Sequence, residues 1–314
     1  VSQPGRICPV SYRYSPRVFN RPPDFSTDVL YVVGGLYGNV EALETVLEMA
    51  ARESATVVFN GDFHWFDVRL EDFTRIARGV APHRLLRGNV ETEIASEDTG
   101  AGCGCAYPAD VSDAEVSCSN RILERLRETA RQAGGREALA ALPMHLVASV
   151  AGVRVGIVHG DAASLAGWGF AHDRLDDPGR ERWIVSAFDD ANVEVFASTH
   201  TCLPALRTFD VAQGAALVAN NGAAGMPNFA GTRHGLVTRI GARPSAERMF
   251  AHRLRHVHVE VLPVRYDADR WIGRFLAAWP DGSPAHLSYH RRLVEGPRYR
   301  LPQAEPRRAA VAAR

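Results

Sequence analysis

Along much of the chain, short apolar runs alternate with segments in which apolar residues recur every three or four positions. Residues 28–33, Asp28-Val29-Leu30-Tyr31-Val32-Val33, read as a buried strand running into glycines. Residues 40–52 then place Val40, Leu43, Val46, Leu47 and Ala50 on one helical face. Residues 56–59 predict a second strand with Asp62 just beyond its C-terminal end. Residues 70–79 read as a helix, and 83–86 as a third strand ending at Gly88-Asn89. This alternation implies a mainly parallel sheet with helices on its faces.

The pattern then loosens. Residues 92–112 carry Gly100, Gly102 and Gly104 and read as loop. A helix over 112–133 starts with Ser112 as its cap and Glu115 three residues later. Residues 144–150 and 154–158 form a hairpin around Gly152 that leads to His159, and 193–197 lead to His200. Strands over 205–209 and 216–219 precede Asn220-Asn221-Gly222-Ala223-Ala224-Gly225-Met226-Pro227, and strands over 236–240 and 256–263 are expected to finish a second sheet. Residues 267–279 turn helical again, with Trp271, Phe275 and Leu276 as the packing face. This organisation predicts a Pro-rich extended arm over 1–27 and one domain over 28–265 with an insertion at about 92–120. Beyond them come a helical extension and a frayed Arg-, Ala- and Pro-rich tail over 266–314.

Composition narrows the function classes. The 314 residues are 46% hydrophobic and 23% charged, ordinary for a globular protein, and the formal net charge is zero. There is no global electrostatic pull toward nucleic acid or an anionic membrane. No apolar run approaches the ~18 residues of a spanning helix. The start of the sequence does not read as a signal peptide, so the expectation is a cytoplasmic protein. An odd number of cysteines, five, argues against a disulfide framework.

The candidate chemistry lies in five short motifs, each just after a strand signal. They are Val33-Gly34-Gly35-Leu36-Tyr37-Gly38-Asn39, Asn60-Gly61-Asp62, Arg87-Gly88-Asn89-Val90-Glu91, Val158-His159-Gly160-Asp161 and Thr199-His200-Thr201-Cys202. In α/β sheets, ligand sites form beyond the C-terminal ends of strands, so these side chains can converge. Cys103-Gly104-Cys105, with Cys118 thirteen residues on, forms a further group in the insertion. With Cys8 or a histidine it could bind zinc, act as a redox pair, or simply be buried thiols.

The order and spacing of the five motifs resemble the calcineurin-like metallophosphoesterases, in particular their small YfcE-type branch. The resemblance covers roughly residues 28–265. It implies an αββα sandwich, two mixed β-sheets flanked by helices, and a site for two divalent cations bridged by the aspartate at Asp62. The second ion's ligands fall on Asp62, Asn89, His159 and His200, which suit Mn²⁺, Fe²⁺ or Zn²⁺. The first motif of that family reads Asp-x-His-Gly-Asn, and here Gly35 and Tyr37 stand at its Asp and His positions. The last motif reads Gly-His-x-His, and Cys202 stands at its second His. The first position thus lacks its usual ligands, and Cys202 or His64 are the residues that could refill it. The favoured reading of His64 is burial among the aromatics of Phe63-His64-Trp65-Phe66-Asp67, a loop that could line a substrate wall.

Val90 stands where many relatives carry a leaving-group acid. Glu91 either orients a neighbouring group or starts a helix, and Asp161 either holds an imidazole or caps a turn. Asn39 and Gly222, with Gly38, are the expected phosphate-binding positions. The expected activity is hydrolysis of a phosphomonoester or phosphodiester with one retained ion, Asp62 and His200 being central to it, and the expected partner is a small-molecule phosphoester or nucleotide. The alternatives are a catalytically impaired pseudoenzyme that binds a nucleotide or protein partner, or a metallohydrolase repurposed for a non-phosphate substrate.

Overall fold

The computed structural model describes residues 3–308. The first strand is β1 (Phe25–Thr27). The repeating unit expected near the N-terminus follows as β2 (Val29–Val33), α1 (Val40–Glu53), β3 (Thr56–Asn60), α2 (Leu70–Val80), β4 (Arg84–Leu86) and α3 (Asn89–Ala95). Next come α4 (Asp113–Ala133), α5 (Arg136–Ala140), β5 (His145–Val150), β6 (Val153–Val158), α6 (His172–Leu175), α7 (Glu181–Ala191) and β7 (Val195–Ser198). The chain continues through β8 (Pro204–Val211), β9 (Gly214–Asn221), β10 (Gly235–Gly241), β11 (Phe250–Leu254) and β12 (Val257–Val264). It closes with α8 (Ala268–Ala278), α9 (Pro284–Glu295), α10 (Leu301–Ala304) and β13 (Arg307–Arg308).

Two mixed sheets pack face to face. One has the order β11-β12-β10-β2-β3-β4 and the other β1-β5-β6-β7-β9-β8-β13. The alternation within each strand explains the layering. Leu30, Val32 and Val58 point inward to meet Val155, Ile157, Val195 and Ala197 of the facing sheet. Tyr31, Val33, Val57 and Phe59 point outward under α1, α2, α4 and α8, and Phe196 and Val218 point outward under α7. The result is the expected αββα sandwich.

Several elements depart from the pattern reading. Strands β10 and β12 belong to the first sheet rather than finishing the second, because β10 pairs antiparallel with β2, Thr238 opposite Val32. Periodicity identifies a strand but not its neighbour. Residues 92–95 continue α3 before the loop begins. On α8 only Trp271, Phe275 and Ala278 are buried, and Leu276 is exposed because it lies one position past the inward i, i+4 pair. Residues 10–12 and 16–19 form 3₁₀ turns, burying Tyr12 and Phe19. Part of the expected frayed tail, 309–314, lies outside the described residues.

What positions the site is the coincidence of strand ends. β2, β3 and β4 run parallel, as do β6 and β7, and the motifs follow their C-terminal ends. The amide of Asn60, ending β3, donates to the Val158 carbonyl of β6 at 2.7 Å and ties the two sheets together there.

Candidate metal centre

Asp62, His159 and His200 bring one ligand atom each to within 4.8 Å of one another, and all three are buried. Around His159 Nε2 lie Asn89 Oδ1 and His200 Nδ1, both at 3.1 Å, and Asp62 Oδ2 at 3.3 Å. Four donor atoms from four strand-end loops therefore meet around one point, as the motif spacing predicts.

Each of these groups is turned by a bond on its far side. His159 Nδ1 lies 2.9 Å from the Asn60 carbonyl, which can only accept, so Nδ1 carries the hydrogen and Nε2 presents a lone pair. His200 Nε2 likewise donates to the Cys105 carbonyl at 3.1 Å, leaving a lone pair on Nδ1. The Asn89 amide nitrogen donates to the Cys103 carbonyl at 3.0 Å, which aims its oxygen inward. Asp62 Oδ1 accepts from the Val90 N–H, leaving Oδ2 for the centre. Gly88 is required here: a Cβ would come within 2.2 Å of Asp62 Oδ1.

Electrostatics agree with a place for positive charge. Burial alone would lower the pKa of His159, but the Asp62 carboxylate and the bonds around the ring outweigh it, and the net shift is upward. His200 is pushed down to about 3 by burial, reinforced by the neighbouring His159. Two imidazole lone pairs 3.1 Å apart beside a carboxylate are stable only with a proton or a cation among them, and the donor set, one carboxylate, one amide oxygen and two imidazoles, fits a divalent transition metal.

The cysteine-containing insertion contributes through its backbone. All five cysteines are free thiols, and Cys103, Cys105 and Cys118 do not form a converging ligand group among the described residues. Instead the Cys103 and Cys105 carbonyls orient Asn89 and His200. Trp168 Nε1 also donates to the Cys105 carbonyl, at 3.0 Å, fixing the loop over the site. A carbonyl's orienting role has no signature in side-chain types, so the spacing of these cysteines could not reveal it.

The first-motif side is built differently. The Tyr37 hydroxyl lies 2.8 Å from Cys202 Sγ, and the phenol is buried, which raises its pKa well above the ordinary value. The ring lies over Gly35, where an added Cβ would meet Tyr37 Cε2 at 2.8 Å. Gly35, Tyr37 and Cys202 thus pack on one another. Tyr37, Asp62 and Cys202 all have left-handed backbone, at φ 55°, 51° and 61°, the clustering of strain expected at a functional site.

The remaining sequence candidates separate. His64 turns away from the centre, its Nδ1 2.5 Å from Asp67 and its ring stacked on Phe73 at 3.8 Å. Asn39 caps α1 through Oδ1 and donates to the Gly225 carbonyl, so both its polar ends are engaged. The Gly222 N–H donates to Asn220 Oδ1 and its carbonyl accepts from Thr199. Asp161 caps the turn after His159, accepting from the N–H groups of Ala163, Ser164 and Gly169. Glu91 is fully buried and accepts from the N–H groups of Asp62, Phe63, His64 and Gly88, which holds the Asp62 loop against the start of α3.

Beside the centre opens a cavity of about 250 Å³ that Asp62, Asn89, Val90 and His200 line on one side. Its other walls include Trp65, from the aromatic-rich loop after Asp62 that the sequence marks as a candidate substrate wall, and Tyr107, Trp168, Tyr289 and Arg292, which no motif singles out. Tyr289 and Arg292 come from α9, a helix with no motif and a weakly patterned sequence.

Comparison with known proteins finds likeness in structure. No family model matches the sequence, and no curated protein matches it. A hypothetical protein from Pyrococcus horikoshii OT3 superposes with a TM-score of 0.57 at 17% identity, over 86% of this chain and 99% of that one. A metallophosphoesterase from Sphaerobacter thermophilus superposes with a TM-score of 0.55 at 17% identity, over 86% of this chain and 100% of that one. Among the described residues no helix is long and apolar enough to cross a membrane. With its two mixed sheets, flanking helices and converging strand-end loops, the chain has the calcineurin-like phosphoesterase fold.

Proposed function

We propose that this protein is a metal-dependent phosphoesterase working with one divalent transition ion, Mn²⁺, Fe²⁺ or Zn²⁺, held by Asp62, Asn89, His159 and His200. The observation that carries the reading is the convergence of four donor atoms whose outward polar atoms are already bonded to the backbone. Such anchoring of ligands by their far-side partners is how metal sites fix ligand orientation. When bound, a divalent ion polarises a phosphoryl oxygen and lowers the pKa of a water.

The chain's own residues set the rest. Asp62 is the one anionic ligand, and Glu91 holds its loop in the strained conformation that aims it. His200, neutral at working pH because burial depresses its pKa, offers its lone pair without first losing a proton. Trp168 and Cys105 wall the cavity beside the centre and are tied together by the bond from Trp168 Nε1 to the Cys105 carbonyl. Packing of Tyr37 and Cys202 over Gly35 supports one ion rather than two.

The test is metal analysis of protein loaded separately with Mn²⁺, Fe²⁺ and Zn²⁺, followed by assay on bis-p-nitrophenyl phosphate and p-nitrophenyl phosphate. One ion per chain and metal-dependent hydrolysis, lost in His200→Ala, are expected. Two ions per chain would overturn the single-ion reading. One ion with no hydrolysis over a broad phosphoester panel would leave a binding protein or a repurposed metallohydrolase.

A further inference from the structure

The cavity beside the centre carries one cation, Arg292, and its setting is unusual. Arg292 rises from the last turn of α9 and is half-buried. Its Nη2 donates to the Cys202 carbonyl at 2.6 Å and its Nε to the Pro227 carbonyl at 3.3 Å. Among the described residues no carboxylate lies within salt-bridge distance of it. Of the two acidic residues that line the cavity, Glu115 is occupied in the Ser112 capping box and Asp62 faces the centre. The carbonyl end of α9 offsets part of the charge, yet among the described residues Nη1 meets no protein acceptor. A partly desolvated guanidinium without a counter-ion is costly unless an anion joins it, and its planar fork suits phosphate.

Its position sharpens the point. Cys202, whose carbonyl Arg292 grips, is also the partner of Tyr37, so the guanidinium sits next to the packed Gly35–Tyr37–Cys202 group. The walls that lead away are aromatic. Trp168 packs edge-on to His200 at 5.5 Å and Tyr107 lies 6.1 Å from Trp168. On another side Tyr37 and Tyr289 line the cavity, and Phe66, outside its lining, packs 6.2 Å from Tyr37 and 5.0 Å from Tyr289. A cavity of about 250 Å³ is below the usual span of drug-sized sites, about 300–1,000 Å³, and so fits one ring with its phosphate better than a larger ligand. Val90, at the mouth of the centre, offers no proton to a leaving group. A phenol, with a pKa near 10, departs as its anion more readily than an alkyl alcohol.

We propose that Arg292 and these aromatic walls form the substrate pocket, and that it takes the phosphate ester of a small single-ring phenol. Arg292 holds the phosphate oxygens on the side of the centre where Gly35, Tyr37 and Cys202 provide no metal ligands. This rests on the phosphoesterase reading for the reaction but not for the binding, and the two are separable by experiment.

Phenylphosphonate and methylphosphonate are titrated into metal-loaded protein, with calorimetry and tryptophan fluorescence as readouts, the latter because Trp65 and Trp168 line the cavity. Wild type is expected to bind phenylphosphonate at least about tenfold more tightly than methylphosphonate, in keeping with burial of an aromatic ring. Arg292→Gln should weaken both about 10- to 100-fold, the worth of a charge-assisted hydrogen bond, with metal content unchanged. Arg292→Lys should recover part of the loss. Tyr289→Leu should erase the preference for the ring while sparing methylphosphonate. Equal affinity of wild type for the two phosphonates overturns the proposal without any variant, and so does unchanged phosphonate binding in a folded Arg292→Gln. Arg292-dependent, ring-selective binding without hydrolysis would sustain the pocket and sink the phosphoesterase. Hydrolysis with no ring selectivity would do the reverse.

Discussion

Two neighbouring groups of residues, drawn from equivalent strand ends, have opposite physical characters. Asp62, Asn89, His159 and His200 are buried polar side chains whose outward atoms are satisfied and whose inward atoms face one another, with no donor from elsewhere among the described residues. Gly35, Tyr37 and Cys202 satisfy one another, hydroxyl to thiol and ring to glycine. Buried polar atoms normally find partners within the protein. A cluster that withholds four lone pairs from such partners is organised for something absent from the chain, whereas a cluster that closes on itself is not. At the positions where the resemblance implied ligands there is no hole: glycine admits the tyrosine ring, and the thiol takes its hydroxyl.

The largest effect that separates the two groups is expected from Asp62→Asn. It removes the one anionic donor while keeping the shape, and metal content after dialysis should fall by more than about tenfold, with any hydrolysis falling at least about 100-fold. Retained full occupancy would show that the open group is not the metal centre.

Next comes Gly35→Asp. The residue sits at φ +65°, and a Cβ would press on the Tyr37 ring at 2.8 Å. Left-handed strain of about 1–2 kcal/mol and overpacking of about 1–3 kcal/mol add, so urea unfolding should show a loss of roughly 2–5 kcal/mol and no second ion. Only with Tyr37→His and Cys202→His alongside it, which remove the ring and supply imidazoles, should a second ion bind. A stable single variant that binds two ions would break the contrast.

Much of this was legible in the sequence because it lives on strand ends. Short apolar runs followed by Asp62, Asn89, His159 and His200 fix where those residues stand, and the parallel pairing of β2–β4 and β6–β7 brings them together. What was not legible depends on contacts between distant segments. The backbone carbonyls of 103 and 105, the neighbour of β10, and the arrival of Tyr289 and Arg292 on α9 leave no periodic or compositional trace. The carboxylate of Glu91 shows the middle case: its position in the motif marks it, but its four backbone partners appear only in the folded chain.

A smaller effect concerns pH. His159 holds its proton to higher pH than an ordinary imidazole, the Asp62 carboxylate overcoming the opposing effect of burial, while His200 is pushed down to about 3. Metal must displace the first proton but meets no second one above about pH 5. The competition begins above the ordinary imidazole value of about 6.5, and as pH falls further metal affinity measured against a chelator should drop about tenfold per unit, a slope of one proton. A slope of two would mean that both imidazoles compete and that His200 is not held neutral. A flat profile would remove His159 from the ligand set.

The smallest effect tests the closed group directly. Tyr37→Phe keeps the ring over Gly35 and deletes only the hydroxyl bonded to Cys202 at 2.8 Å. The thiol retains the His200 carbonyl at 3.4 Å as a partner, so no buried group is stranded, and the cost should be about 0.5–1.5 kcal/mol in urea unfolding. Metal content should not change, because a buried phenol whose pKa is raised further by its surroundings stays protonated and is a poor ligand. A clear fall in occupancy would mean that the phenol oxygen is itself a donor to the ion. The two groups would then be one site, and the contrast between an open and a closed cluster would dissolve.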